Sequence, residues 1–269
     1  MRRGWFLPIA ATLGFAFLYL PILSLVVFSF NESRLVTVWS GFSTKWYGEL
    51  FADPQMLGAA RLSFIIAGIS ASIALVLGTL VAVALVRFKR FRGRTVLAGT
   101  VSAPLVMPDV ITGLALLLLF VAMEATLGWP AGRGIVTIII AHSIFCMAYV
   151  TVVVQSRLAD LDASLEEAAQ DLGATPVRVF FDITLPIIAP ALVSGWLLAF
   201  TLSLDDLVIA SFVSGPGSST LPMVIFSKVK LGVSPDVNAL ATIIIGIVAL
   251  GVFAATLLQL RGRPKKLRA

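Results

Sequence analysis

Long apolar segments follow one another along almost the entire chain of 269 residues. A helix of about 20 apolar residues is long enough to cross the hydrocarbon core of a bilayer. Six segments reach that length, and they are Trp5–Phe30, Leu57–Val86, Val96–Met123, Ile135–Ser156, Ile187–Val213 and Ala239–Leu260. The pattern predicts an all-α membrane protein with six transmembrane helices, and we expect residues 1–269 to form a single transmembrane domain.

The composition excludes an ordinary soluble domain and most metal sites. Apolar residues make up 59% of the chain and charged residues 13%, whereas soluble proteins contain about 45–50% and about 25%. The mean hydropathy is +1.02. Because Cys146 and His142 are the only cysteine and histidine in the sequence, a disulfide framework, a cysteine zinc site and a multi-histidine centre are all excluded.

The basic residues predict the orientation of the spans, because cytoplasmic loops of membrane proteins are rich in Lys and Arg. If both termini are cytoplasmic, 14 of the 20 Lys and Arg residues lie on the cytoplasmic side and 6 on the other. The clusters Arg87–Arg94 and Arg261–Arg268 adjoin spans, where anionic membrane lipid is the expected partner. We therefore expect cytoplasmic termini and no nucleic-acid partner.

The cytoplasmic loop 157–186 contains the signals of two short helices joined by a corner. Ser164 with Glu167 three residues later forms a capping box, which predicts a helix start. Gly173 stands where a left-handed helix end is expected, and Thr175-Pro176 suits the cap and first position of a second helix. A narrow apolar stripe runs along the first helix at Leu165, Ala168, Ala169 and Leu172. The loop is either a solvated hairpin or a docking element for a partner.

A family resemblance favours docking. The loop matches the pattern E-A-A-x3-G-x9-I-x-L-P at Glu167, Ala168, Ala169, Gly173, Ile183, Leu185 and Pro186. With these seven positions at their spacing, the chain resembles the permease subunits of ABC importers, which carry this EAA motif. The resemblance implies the type I ABC importer permease (MetI-like) fold in a bacterial inner membrane, with the loop as the coupling helix. It also implies three kinds of partner, namely two copies of a cytoplasmic ATPase, a second homologous permease subunit and a periplasmic binding protein.

Three further stretches narrow the resemblance to the polyamine permeases. They are Ser29-Phe30-Asn31 with Trp39, Gly41-Phe42-Ser43 and Trp46-Tyr47, then Ala103–Asp109, and finally Ser203–Ile209. These stretches resemble the spermidine and putrescine permeases, and most of all the putrescine branch. The resemblance implies ATP-driven import of a polyamine by alternating access. It leaves open which polyamine is carried.

The sequence contains no machinery for ATP hydrolysis. A phosphate-binding loop needs the sequence Gly-Lys-Ser or Gly-Lys-Thr, and none of the lysines follows a glycine. We therefore expect no catalytic site and no cofactor in this chain, with ATP and magnesium bound by the partner ATPase. The alternatives are a permease of the same family for another small solute, or an autonomous secondary transporter, which needs no docking loop.

Three acidic residues fall within the predicted spans, at Asp109, Asp205 and Asp206. An aspartate at the centre of a membrane helix costs roughly 2.5–3.5 kcal/mol, so each is a candidate functional residue. Carboxylates along a substrate path would offset the lost hydration of a polyamine. Asp109 follows two prolines that predict a break in the third span, so it is also a candidate cap for free amides. On one helix Asp205 and Asp206 point about 100° apart, and we assign Asp205 to the path and Asp206 to a buried interhelical contact.

His142 and a group of aromatic residues each allow two interpretations. His142 is either a proton relay or a hydrogen-bonded residue of the helix bundle. Trp39, Phe42, Trp46 and Tyr47 form either an aromatic belt at the membrane interface or a docking surface for the binding protein.

Overall fold

The computed structural model describes residues 5–34, 38–88, 90–231 and 235–262. In these ranges the regular structure is helical, apart from one isolated bridge between Asn31 and Phe42. The helices are α1 Phe6–Phe28, α2 Lys45–Ala52, α3 Pro54–Arg87, α4 Arg94–Val106, α5 Asp109–Leu127, α6 Ile135–Ala159, α7 Ala163–Asp171, α8 Pro176–Val179, α9 Leu185–Asp205, α10 Val208–Val213, α11 Leu221–Leu231 and α12 Pro235–Gly262. A single π-helical turn, Phe180–Thr184, joins α8 to α9.

Five helical segments of the described chain are long and apolar enough to cross a membrane. They are Phe6–Phe28, Pro54–Arg87, Asp109–Leu127, Ile135–Ala159 and Pro176–Asp205. The apolar part of α12, Pro235–Leu250, is shorter than these. The all-helical class is therefore confirmed, while the sixth span and the cytoplasmic position of both termini stay predictions.

The third predicted span is broken, as its prolines indicate. Helix α4 ends at Val106 and α5 begins at Asp109. Met107 is extended, with φ −79° and ψ 138°, because the ring of Pro108 clashes with a helical conformation at the preceding residue. The break places Asp109 in the first turn of α5.

The fifth predicted span, Ile187–Val213, differs from the structure at both ends. The helix already begins at Pro176 and continues through the π-helical turn into α9. It ends at Asp205, and α10 begins only at Val208. The interruption contains no Pro or Gly and apolar residues follow it, which is why one continuous helix was predicted.

The chain divides into two compact units. The first comprises Met1–Leu57 and Ile225–Ala269, and the second comprises Gly58–Val224.

In the first unit, α12 packs against both α1 and α2. Trp46 is only 3% exposed, and its indole N–H donates a hydrogen bond to the carbonyl oxygen of Asn31 at 2.6 Å. Trp46 therefore has a packing role rather than a place in an exposed aromatic belt, whereas Trp39 and Phe42 are exposed. No residue of α1 is buried within the described chain, so this apolar helix is available to lipid or to a partner.

An ion cluster links three segments of the first unit. The Nζ atom of Lys228 lies 2.7 Å from Asp53 Oδ2 and 2.6 Å from Asp236 Oδ2. Burial alone would lower the pKa of Lys228, but the hydrogen bonds to Asp236 and Asp53 raise it above its ordinary value. The hydrogen bond from Lys228 in turn lowers the pKa of Asp53. Lys228 and Asp53 are therefore both charged near neutral pH.

The second unit is built around α6. This helix packs against α4, α9 and α10, while α5 packs against α10. The core of the unit includes Ile138, Cys146 and Val150 of α6, which are fully buried. Small residues bring neighbouring helices close to it, since a Cβ atom added at Gly78 of α3 would lie 2.9 Å from Val150 Cβ. Such contacts stabilise helix pairs where no hydrophobic effect drives association within lipid.

We expect Gly78→Ala to destabilise the second unit, although alanine favours helices over glycine. The added methyl group would overlap Val150, and overpacking costs roughly 1–3 kcal/mol. Gly68→Ala in the same helix is the matched control, because nothing lies within 4 Å of a Cβ atom there, and it should be neutral or stabilising by up to about 1 kcal/mol. Thermal unfolding of the two purified variants measures the difference. Equal melting temperatures would contradict the close α3–α6 contact.

Candidate functional site

The predicted coupling loop begins with a cap that differs from the expected one. The Asp162 carboxylate accepts a hydrogen bond from the backbone N–H of Ser164 at 3.0 Å, and α7 begins at Ala163. The prediction of a capping box at Ser164 and Glu167 was therefore wrong, because Asp162, two residues before Ser164, occupies the cap position. The pKa of Asp162 is lowered mainly by the hydrogen bond from the Ser164 backbone N–H and to a smaller extent by one from the Ser164 hydroxyl. The cap is therefore charged at neutral pH, the form in which it stabilises a helix start.

The corner after α7 has the conformation that Gly173 predicts. Gly173 has φ +88°, which few residues other than glycine adopt. The backbone N–H of Ala174 donates to the Ala169 carbonyl at 3.0 Å, and that of Gly173 donates to the Gln170 carbonyl at 2.8 Å. This pair of bonds is a Schellman motif, which satisfies carbonyl groups that a helix end leaves free.

The second helix of the loop also starts as expected. Thr175 caps α8 by accepting a hydrogen bond from the Arg178 backbone N–H at 3.4 Å, and Pro176 is the first helical residue. The local sequence therefore determines both the corner at Gly173 and the start of α8.

The loop exposes a group of apolar side chains. Leu172 at the end of α7 is 90% exposed and Leu165 is 48% exposed. Ala168 lies between them on the same face, because it is three residues from one and four from the other. We call these three residues the loop surface. Exposed apolar groups of this kind are typical of a site that contacts another protein.

The residues of the EAA pattern are divided between this exposed region and the junction with α9. Glu167 and Ala168 are exposed, and Ala169 is half-buried on α7. Gly173 forms the corner. The remaining three residues lie around the start of α9, where Ile183 and Leu185 are half-buried and Pro186 is exposed.

Glu166, which the sequence pattern does not single out, joins three elements of the second unit. Its Oε1 atom accepts a hydrogen bond from Arg87 Nη2 at 2.9 Å and another from the Thr184 hydroxyl at 2.6 Å. Arg87 is the last residue of α3, and Thr184 directly precedes α9. A cavity of about 550 Å³ adjoins this junction, with Leu80, Val83 and Phe180 among its lining residues.

The structure separates Asp205 from Asp206. Asp205 is the last residue of α9, while Asp206 leaves the helix with φ −66° and ψ 124°. The Asp206 carboxylate accepts hydrogen bonds from the backbone N–H groups of Ile209 at 3.3 Å and Ala210 at 2.7 Å. It therefore caps α10. The expectation that both aspartates project from one helix was wrong, because the helix ends between them.

His142 of α6 lies beside this break. Its Nε2 atom is 3.2 Å from Asp206 Oδ2, and its Nδ1 atom is 2.7 Å from the Ser203 hydroxyl. The side chains of His142 and Asp206 are 1% and 7% exposed. The buried face of α9 contains Gly195, Ala199 and Ser203. Asp206 thus lies in a buried contact between α6 and the α9–α10 break, whereas Asp205 and Asp109 are exposed.

Comparison with known proteins identifies the family. The family described as binding-protein-dependent transport system inner membrane component matches residues 74–266. The chain belongs to this family. The family resemblance inferred from the sequence is therefore confirmed, and the chain is an inner-membrane transport component rather than an enzyme.

Two curated relatives from Escherichia coli (strain K12) match most of this family member. The putrescine transport system permease protein PotI is 60% identical over 268 residues, which cover 100% of this chain and 95% of the relative. The spermidine/putrescine transport system permease protein PotC is 43% identical over 258 residues, covering 96% and 94%.

Solved structures confirm the fold. A bacterial ABC transporter involved in the import of the acidic polysaccharide alginate gives a TM-score of 0.71 at 18% identity, covering 96% of this chain and 98% of that chain. An amino acid ABC transporter gives 0.55 at 17% identity, covering 80% and 96%. The all-helical ABC importer permease fold is thus confirmed.

We expect Gly173→Val to abolish transport while leaving membrane insertion intact. A side chain at a left-handed position costs about 1–2 kcal/mol, and the strain would distort the corner that follows the loop surface. Gly173→Asn is the matched control, because asparagine tolerates this conformation, and it should retain most of the transport. Substrate uptake and the amount of inserted protein are measured for both variants. Normal uptake by Gly173→Val would show that the corner is dispensable.

Proposed function

We propose that the chain is the permease subunit of an ATP-driven ABC importer that carries a polyamine, with putrescine as its substrate. The observation that carries this proposal is the 60% identity to PotI along the whole chain. The 43% identity to PotC favours spermidine as the second candidate substrate.

We propose that the importer contains two copies of a cytoplasmic ATPase, a second homologous permease subunit and a periplasmic polyamine-binding protein. ATP and magnesium would bind to the ATPase, since no phosphate-binding loop occurs in this sequence. A solved structure of the alginate transporter is in complex with an alginate pentasaccharide-bound periplasmic protein. Its similarity in fold supports an assembly in which substrate is delivered by such a partner.

The proposed ATPase contact is the loop 157–186, including the seven residues of the EAA pattern. Support comes from the exposed loop surface and from the caps at both ends of α7, which stabilise its helical conformation without a partner. A preformed helix loses less conformational entropy when it docks. We also propose six spans with cytoplasmic termini, which places this loop on the same side as the ATPase.

The proposed substrate path includes Asp109 and Asp205, with Asp206 as a buried support. Two exposed carboxylates occur at breaks in predicted spans, one at the start of α5 and one at the end of α9. Helix breaks within a membrane are tolerated where they line a cavity or are enclosed by protein. A diamine that crosses such a region loses hydration, and carboxylates would replace part of it.

Purified alone, the chain should hydrolyse no ATP. In vesicles that contain the assembled importer, putrescine-loaded binding protein should stimulate ATP hydrolysis and putrescine uptake together. Spermidine, another small solute and an empty binding protein are the comparison conditions. Stimulation by an unrelated solute alone would overturn the polyamine assignment, and ATP hydrolysis by the isolated chain would overturn the permease assignment.

We expect Asp109→Asn and Asp205→Asn to lower putrescine uptake about tenfold, equivalent to about 1.4 kcal/mol, because asparagine keeps the size but removes the charge. Both variants should assemble with the ATPase normally. Asp206→Asn should mainly reduce the yield of assembled complex, because this group caps α10 within the core. Glu124→Gln is the control on α5, since its carboxylate accepts a hydrogen bond from Gly132 at the other end of that helix. Wild-type uptake by the first two variants would remove them from the path.

A further inference from the structure

The Glu166 carboxylate is held more firmly than its neighbours in the loop. Both of its hydrogen bonds end on the same oxygen atom, and one comes from the charged guanidinium of Arg87. Hydrogen bonds between charged groups are roughly twice as strong as neutral ones. The side chains of Arg87 and Glu166 are 24% and 14% exposed, so solvent and salt screen this pair less than an exposed pair.

The same loop contains a second ion pair, which is much more exposed. Arg178 Nε lies 3.1 Å from Asp182 Oδ2, and these side chains are 75% and 60% exposed. Exposed pairs of this kind contribute little. This pair also joins two residues only four positions apart, whereas Arg87 and Glu166 are 79 residues apart.

Removing one partner of the buried pair would leave the other unsatisfied. Among the described residues, the Nε atom of Arg87 is buried and already lacks a hydrogen-bond partner. The cavity beside the pair is lined largely by apolar side chains, including Leu80, Val83 and Phe180. Without Glu166, the guanidinium would therefore be left partly desolvated and unpaired, which is costly.

We propose that Glu166 is a positioning residue for transport, which fixes α7 to the end of α3 and to the start of α9. A displacement of α7 is then transmitted to two spanning helices at once. The adjacent residue Glu167 is exposed and free to face a partner. Two consecutive glutamates thus have different tasks, one inside the subunit and one at its surface. This assignment rests on the proposed function, because it identifies α7 as the element that the ATPase moves.

The test compares Glu166→Gln, Arg87→Gln and the double variant with the wild-type importer in vesicles. Each single variant should assemble with the ATPase, yet its putrescine uptake per ATP hydrolysed should fall about fivefold. Hydrogen exchange of the α7 amides in the assembled complex should rise on the order of tenfold, because the helix has lost its anchor. The double variant should be no worse than the poorer single variant, since the two residues act as one unit.

Glu124→Gln is the control, because it neutralises an exposed carboxylate on α5 outside the loop 157–186, and it should change neither quantity. Unchanged uptake per ATP in both single variants would overturn the proposal, as would a double variant whose loss equals the product of the single losses. If the single variants do not assemble, uptake per ATP hydrolysed is measured in the double variant instead, because that variant leaves no unpaired charge. Its failure to assemble would show a purely structural role.

The exchange measurement separates this proposal from the proposed function. A wild-type complex that imports no polyamine would overturn the substrate assignment only. Slow exchange of the α7 amides in the wild type and faster exchange in Glu166→Gln would still support the anchor. Equal exchange in both proteins would overturn it whatever the substrate.

Discussion

A hydrocarbon environment offers no hydrogen bonds, so backbone groups within a membrane must find partners inside the protein. Long helices satisfy this requirement by themselves, and any break in them must be compensated. The break after Asp205 shows how this chain does so. Asp206 accepts hydrogen bonds from two N–H groups at the start of α10, and the Nε2 atom of His142 lies 3.2 Å from its Oδ2 atom. The short buried helix α10 depends on this aspartate.

The same physical problem has a different solution in the loop 157–186. There the helices are short and largely exposed, so water can satisfy free backbone groups and local caps suffice. Asp162, Gly173 and Thr175 each complete one helix end with atoms from within a few residues. The loop keeps its shape through these caps, and its apolar residues remain available for a partner.

This difference explains which features could be predicted from the sequence. The corner at Gly173 and the start at Thr175-Pro176 depend on neighbouring residues, and their pattern gave the right structure. The break near Pro108 follows from proline itself. By contrast, the end of α9 contains no proline or glycine. Asp206, which caps α10, lies buried against His142, which comes more than 60 residues earlier in the chain. The capping box failed for a local reason, since Asp162 and Ser164 are both good caps and only one can occupy the position.

The role of Glu166 could not be predicted from the sequence either, because its partners are distant in the chain. Glutamate beside glutamate on a short exposed helix is typical of a solvated face, and nothing in the periodicity distinguishes the first from the second. Only the fold brings Arg87 and Thr184 to one of them. A sequence reveals groups that act locally, whereas a partly buried ion pair between distant segments is visible only once their helices are packed.

Helix α9 connects the junction at Glu166 and Thr184 with the break at Asp205 and Asp206. Its 21 residues extend about 32 Å at 1.5 Å per residue, from the junction at Thr184 to the break at Asp205 and Asp206. The small residues Gly195 and Ala199 hold its face against α6. The π-helical turn before it is a wider turn of a kind that often marks functional sites. If Glu166 positions α7 as proposed, a shift at Glu166 and Thr184 would be carried along α9, because a packed helix moves as a rigid body more readily than it bends. The shift would reach the exposed carboxylate of Asp205, next to the capped break.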